Sequence, residues 1–237
     1  MKEIRQFFQD LDNIEAEIAL INTVNYPYPT TPYDFLESAE RDLNKELPES
    51  TSNSLANTKR ALDSQLDYFF KAYGLAKLSQ SWGTGQKIRV VGNLGLVPNR
   101  LLHKVNEARN DLEHRFARPS TQTAMNAVDI VGLFIAATDM YLYPIHSSAC
   151  FYNQNQNKSL ILQIISNEAI EASIFHRKAS SMDFLSLPDR SIEINAISLN
   201  HDFFFLLTFL LHYRRFYMQR CSRFFKNLEY LKKERVD

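Results

Sequence analysis

Cysteine is scarce: the 237 residues hold two, Cys150 and Cys221. Two thiols make neither a disulfide scaffold nor a Cys-x-x-Cys metal site, and they suit a reducing compartment. Glycine is nearly as rare, with six in the chain, so a phosphate-cradling loop is not expected. No Gly-x-Ser-x-Gly, P-loop or dinucleotide fingerprint occurs, which sets hydrolase, NTPase and oxidoreductase readings of those types aside. Long apolar runs are also missing. The longest, from Phe203 to Leu211, is far short of the roughly 20 residues a bilayer requires. The start, MKEIRQFFQDLDNIE, carries acids where a signal peptide needs an apolar stretch. A soluble, cytoplasmic protein without membrane contact is therefore expected.

Net charge of either sign is absent, with 27 basic and 27 acidic side chains, yet the charge is unevenly spread. Residues 1–50 hold 4 basic and 11 acidic groups, and residues 201–237 hold 8 basic and 4 acidic. An acidic front and a basic tail fit intramolecular docking, an anionic partner for the tail, or simply solvated surface.

What is present is hydrophobic periodicity. Ile4, Phe7, Leu11, Ile14, Ile18 and Ile21 recur at three and four, which predicts an N-terminal amphipathic helix packed on the body or on a second copy. The proline-rich stretch Asn25–Pro32 breaks it. Thr31-Pro32-Tyr33-Asp34 reads as a new helix start, with Thr31 as cap and Pro32 at the first helical position. Further helices are predicted over 52–73, near 86–94, over 98–117 and over 121–143. Three strands in a meander follow, at 159–165, 170–175 and 191–196. Asn200 then caps a long last helix from Asp202 to about Lys232, apolar all round in its first half. These elements predict a mainly α protein in three parts. They are an N-terminal helical extension over 1–50, a helical bundle over 51–147, and a small α+β part over 148–237, made of the meander and the long basic helix.

The segment richest in chemistry lies on the helix 98–117. At about 100° per residue, its apolar residues Leu101, Leu102, Val105 and Leu112 gather on one side. His103, Asn110 and His114 fall roughly opposite, with Arg109 able to swing toward His114. The plain reading is a solvated face with an Arg109–Glu113 ion pair worth a few tenths of a kcal/mol. The functional reading is an acid–base and anion site. An imidazole can take a proton from a ribose 2′-hydroxyl or give one to a leaving 5′-oxygen. A guanidinium can brace the charge that builds on phosphorus, and an amide such as Asn110 can orient either partner. Such chemistry cleaves RNA without a metal and spares DNA, which lacks the attacking hydroxyl.

Arg109-Asn110-Asp111-Leu112-Glu113-His114 resembles the R-x4–6-H motif of HEPN domains. The resemblance covers residues of about 52–145 and implies an antiparallel bundle of about four helices. It also implies a catalytic pair at Arg109 and His114, with Asn110 at the polar position after the arginine. It further implies a homodimer whose two motifs face one cleft, and a metal-independent endoribonuclease of the toxin or antiviral-defence kind. An antitoxin or inhibitor protein is then a partner to look for. Members silenced by a nucleotidyltransferase carry Tyr two residues after the His, where this chain has Phe116, so that pairing is not expected. The alternative is a non-catalytic HEPN module that binds RNA or a protein through the same cleft. A third reading is a structural adaptor assembled through the N-terminal seam.

A second candidate surface is the basic face of the last helix. Arg215, Arg220, Arg223 and Lys226 fall within about a 140° arc and could track an RNA backbone, with Phe216 and Tyr217 able to stack on bases. His103 could assist in holding substrate. His146, His176, His201 and His212 show no ligand-like spacing, so neither a metal nor a cofactor is expected.

Overall fold

The computed structural model describes all residues except 23–24, 46, 115–117, 167, 181–182, 184–185, 198–199, 218–223, 226–227 and 229–237. The side chains of residues 19, 21, 99, 109, 113, 166 and 217 also lie outside the description. The chain forms two units. One gathers Met1–Thr23, Tyr73–Leu78 and Tyr143–Asp237, and the other Val24–Ala72 and Ser79–Leu142.

The second unit is helical. It begins at α2 (Pro32–Leu43), where Thr31 and Asp34 form a reciprocal capping box ahead of Pro32. α3 (Ser50–Ala72) is its long central element. α5 (Thr84–Asn93), α6 (Asn99–His114) and α7 (Thr121–Leu142) complete it. Leu55, Leu62, Leu66, Phe69, Val105, Val131 and Ile135 make its dry core. One buried polar contact crosses that core, where the Gln65 amide donates to Thr138 Oγ1 at 2.8 Å and to Asp139 Oδ1 at 3.1 Å. Tyr33 of α2 donates to the other oxygen of Asp139. The acid that interrupts the apolar pattern of α7 is thus tied to two neighbouring helices.

The first unit is a five-stranded antiparallel sheet in the order β1-β2-β3-β4-β5. Its strands are β1 (Ile14–Asn22), β2 (Ile145–Asn153), β3 (Lys158–Ser166), β4 (Ala169–Phe175) and β5 (Arg190–Asn195). Direct cross-strand partners share a face. Ala16, Phe151, Leu160 and Ile174 line up across four strands on one side. On that side sit α1 (Lys2–Phe7) and α8 (His201–Leu211). Phe8, just after α1, stacks on Phe209 of α8 at 3.7 Å and meets Phe151 edge-on at 5.4 Å. Outside the core, Glu3 ties α1 to the sheet, with Lys158 at 3.0 Å, His176 at 3.4 Å and Arg190 at 3.6 Å. The Lys158 hydrogen bond leads in holding the Glu3 carboxyl below its usual range. A short helix, α4 (Ala76–Ser79), follows Gly74, whose φ is 73°. The Gly74 carbonyl accepts from the Glu168 N–H at 2.8 Å.

This architecture corrects the expected fold class. Helix makes up 56% and strand 18%, with eight α-helices among the described residues, so the protein is not a mainly α four-helix bundle bearing a three-stranded meander. The seam from Ile4 to Ile21 is not one helix. It holds α1, a 3-10 turn at Leu11–Asn13 and then strand β1, and of the two helices expected over 1–50 only α2 forms as predicted. Ile14-Glu15-Ala16-Glu17-Ile18 satisfies both periods. The strand prevails because pairing with β2 buries Ile14 and Ala16 while Glu15 and Glu17 stay in solvent. The meander gains β2 as well as β1. The last helix stops at Leu211, and Tyr213–Tyr217 is a 3-10 turn. That turn brings Phe216 to 5.3 Å from Phe151, so tertiary packing of aromatic rings overrides the helical pattern.

Candidate functional site

α6 carries the motif residues. Leu102 and Val105 are buried on its inner side, so the helix is anchored by the apolar arc that the sequence shows. Lys104, Glu107 and His114 are exposed, and His103, Asn110 and Asp111 are half-buried. His114 is the last residue of the helix, so its imidazole stands in solvent at a helix end. Asn110 has a polar partner of its own. Arg109 is helical, and its position falls within the arc of Leu102 and Val105. The Arg109 and Glu113 side chains, and with them the pair Arg109–Glu113, lie outside the description, as does Phe116. Along the helix axis the positions of Arg109 and His114 are about 7.5 Å apart, and around it about 140° apart.

Another side of α6, roughly opposite His114, meets α7. A groove of about 370 Å³ runs between α6 and α7, with Lys104, Val105 and Ala108 on one wall and Asn126, Asp129 and Ile130 on the other. Beyond it, Met125, Leu133 and Met140 are exposed on the outer side of α7, Leu133 to 71%. α7 is the one helix among the described residues long and apolar enough to cross a membrane, and 44% of that stretch is buried within the protein.

The second sequence candidate, the basic face, is only partly described. Arg215 is half-buried, and its guanidinium lies 4.2 Å over the Phe224 ring. Phe216 packs among Phe8, Phe151, Phe209 and Phe225. Arg220, Arg223 and Lys226, and the Tyr217 side chain, lie outside the described residues. Arg215 and His103 belong to different units.

One feature escaped the sequence. The sheet unit holds a cavity of about 700 Å³ beside the β1 edge, lined by Glu15, Glu17, Cys150, Tyr152, Lys178 and Phe216 among others. Four separate segments supply these residues through strand register, and the only local trace is the Glu-Ala-Glu alternation on β1. Burial pushes the Cys150 thiol up to about 12, with Glu17 and Asp183 adding to the effect. The Cys150 Sγ sits 3.6 Å from the Ala179 carbonyl. A thiol held protonated in this way is not a nucleophile. Among the described residues no three His, Cys, Asp or Glu side chains are grouped to hold a metal ion.

No protein-family model matches the chain, and comparison with curated proteins and with solved structures finds none similar to it.

Proposed function

We propose that the protein is an endoribonuclease acting without a metal, with His114 as proton-transfer group, Arg109 as phosphate brace and Asn110 as orienting amide. The observation that carries the reading is the solvent-exposed His114 at the end of a helix whose opposite arc is buried. An imidazole so placed can reach a polymer too large to enter a closed pocket. The R-x4-H spacing, similar to that of HEPN ribonucleases, supports the same roles. The likeness extends to the motif alone, since the chain-wide architecture differs.

In the reaction, an imidazole takes the proton of a ribose 2′-hydroxyl. The 2′-oxygen bonds to phosphorus, the bond from phosphorus to the 5′-oxygen breaks, and that oxygen takes up a proton. The products are a 2′,3′-cyclic phosphate and a 5′-hydroxyl. Base and acid are both required, and one motif holds one His114, so two copies facing each other complete the set. The exposed apolar side chains Met125, Leu133 and Met140 on the outer side of α7 offer a surface for pairing. A two-fold axis there would set Met125, Leu133 and Met140 against their mates, and Lys104 of one copy near Asp129 of the other. The biological setting proposed is a toxin or defence effector.

The experiment is incubation of mixed RNA with the protein in EDTA. His114→Ala and Arg109→Ala should each lower cleavage by about 100-fold or more. RNA binding without cleavage by the parent would favour the non-catalytic alternative. Cleavage unchanged in both variants removes these residues from the chemistry.

A further inference from the structure

The cavity beside the β1 edge belongs to the sheet unit and owes nothing to α6. Its walls are of two kinds. Tyr152 and Ala179 are apolar contributors on the sheet face that carries Glu15, with Ala16 and Phe216 bordering from the other face at the β1 edge, while Glu15, Glu17 and Asp183 bring three carboxylates against one ammonium, that of Lys178. Asp183 is committed to its neighbours in the chain. It accepts from Arg177 at 2.7 Å and from the Ser180 N–H at 2.7 Å, and this bonding holds its carboxyl well below the usual range. Glu15 is different. One of its oxygens accepts from Gln154 at 2.6 Å, and the other faces the Lys178 ammonium at 3.6 Å. The same ammonium lies 4.9 Å from the centre of the Tyr152 ring. The ring is held from behind, because its hydroxyl donates to Asn157 at 3.0 Å.

A carboxylate beside an aromatic face is the combination that holds an organic cation. Here the protein already places a cation of its own there, on a flexible stem two-thirds exposed to solvent. Such a tethered group can swing out and be replaced. The volume of about 700 Å³ is within the range of small-molecule sites and far exceeds what one ammonium fills. We propose that this cavity binds an organic ammonium with an apolar or aromatic body, with Glu15 and Tyr152 taking the charge, Ala179 lying against the body, and Lys178 as the group displaced.

The probe is benzyltrimethylammonium, with benzyl alcohol as its uncharged counterpart, titrated into the full chain at constant ionic strength. Amide shifts of residues 15–17, 150–152 and 178–180 are followed by NMR. Saturable shifts confined to these residues are expected for the cation and not for the alcohol. Tyr152→Leu and Glu15→Gln should each weaken binding about two- to fivefold. Lys178→Met should strengthen it by a similar factor, because it removes the competing cation, whereas a site that merely needs its loop intact would bind more weakly. No saturable shift up to 10-fold over the protein's own concentration and beyond to about 10 mM, equal response to the alcohol, or weaker binding by Lys178→Met would each overturn the proposal.

Discussion

His146 sets up a test of the sheet unit by pH alone. It stands near the start of β2, 3% exposed, and neither ring nitrogen finds a hydrogen-bond partner among the described residues. Its ring meets Tyr213 edge-on at 5.1 Å, and Arg214, which donates to the Tyr213 hydroxyl at 3.0 Å, adds a like charge nearby. Burial first, and then Arg214, lower its pKa from 6.5 to about 4. The unfolded chain therefore binds the proton more readily than the folded one. The stability this contributes is present above pH 6.5 and is lost as pH falls toward 4. With those two values, moving from pH 7 to pH 5 costs the folded state about 2 kcal/mol. The Glu3, Asp34 and Asp189 carboxyls are lowered from values of 4.5 or less and so titrate below this window. The assay is hydrogen exchange of β2 and β3 amides at both pH values, corrected for intrinsic rates. His146→Phe keeps a ring against Tyr213 and removes the titration, so it should flatten most of the change. Parallel pH dependence in parent and variant would refute the reasoning.

The aromatic stack at the centre of the same unit gives a second expectation. Phe8→Ala removes contacts with Phe209, Phe151 and Phe205 and should cost about 3–5 kcal/mol, read by urea denaturation. In the helical unit, Thr31→Ala deletes the capping box of α2 and should cost about 1 kcal/mol, with the local opening seen in α2 amides. Gly74→Ala places a side chain at φ 73° and should destabilise by about 1 kcal/mol in thermal melts, while Gly74→Asn should cost less. Leu133→Asp puts a charge into the outer stripe of α7 and should shift the protein toward monomer in light scattering while leaving its helix content in circular dichroism unchanged. A parent that is monomeric at every concentration would remove the paired-copy scheme.

Much of the helical unit was legible, because capping chemistry and a 3.6-residue period leave local marks. The Thr31-Pro32 start and the helices predicted over 52–73 and 121–143 all fall where the sequence places them. The sheet was legible only in part. β3, β4 and β5 alternate or form short apolar runs, and all three are strands. β2 is buried on nearly every residue, so Ile145–Asn153 shows no alternation to read. β1 was disguised because Ile14, Ile18 and Ile21 also fit a helical period, and only its distant partner decides between the two. The motif residues of α6 could be found because they lie on one element. The ammonium-binding walls could not, since register and a loop bring them together from separate segments.

The central claim is that one imidazole and one guanidinium on α6 turn a ribose hydroxyl against its own phosphodiester. The direct measurement is the chemistry of the ends left on RNA cleaved by the parent protein in excess EDTA. A 2′,3′-cyclic phosphate on one fragment and a 5′-hydroxyl on the other are expected, with neither formed by His114→Ala. Fragments ending in a 3′-hydroxyl and a 5′-phosphate, or DNA cut as readily as RNA, would contradict it.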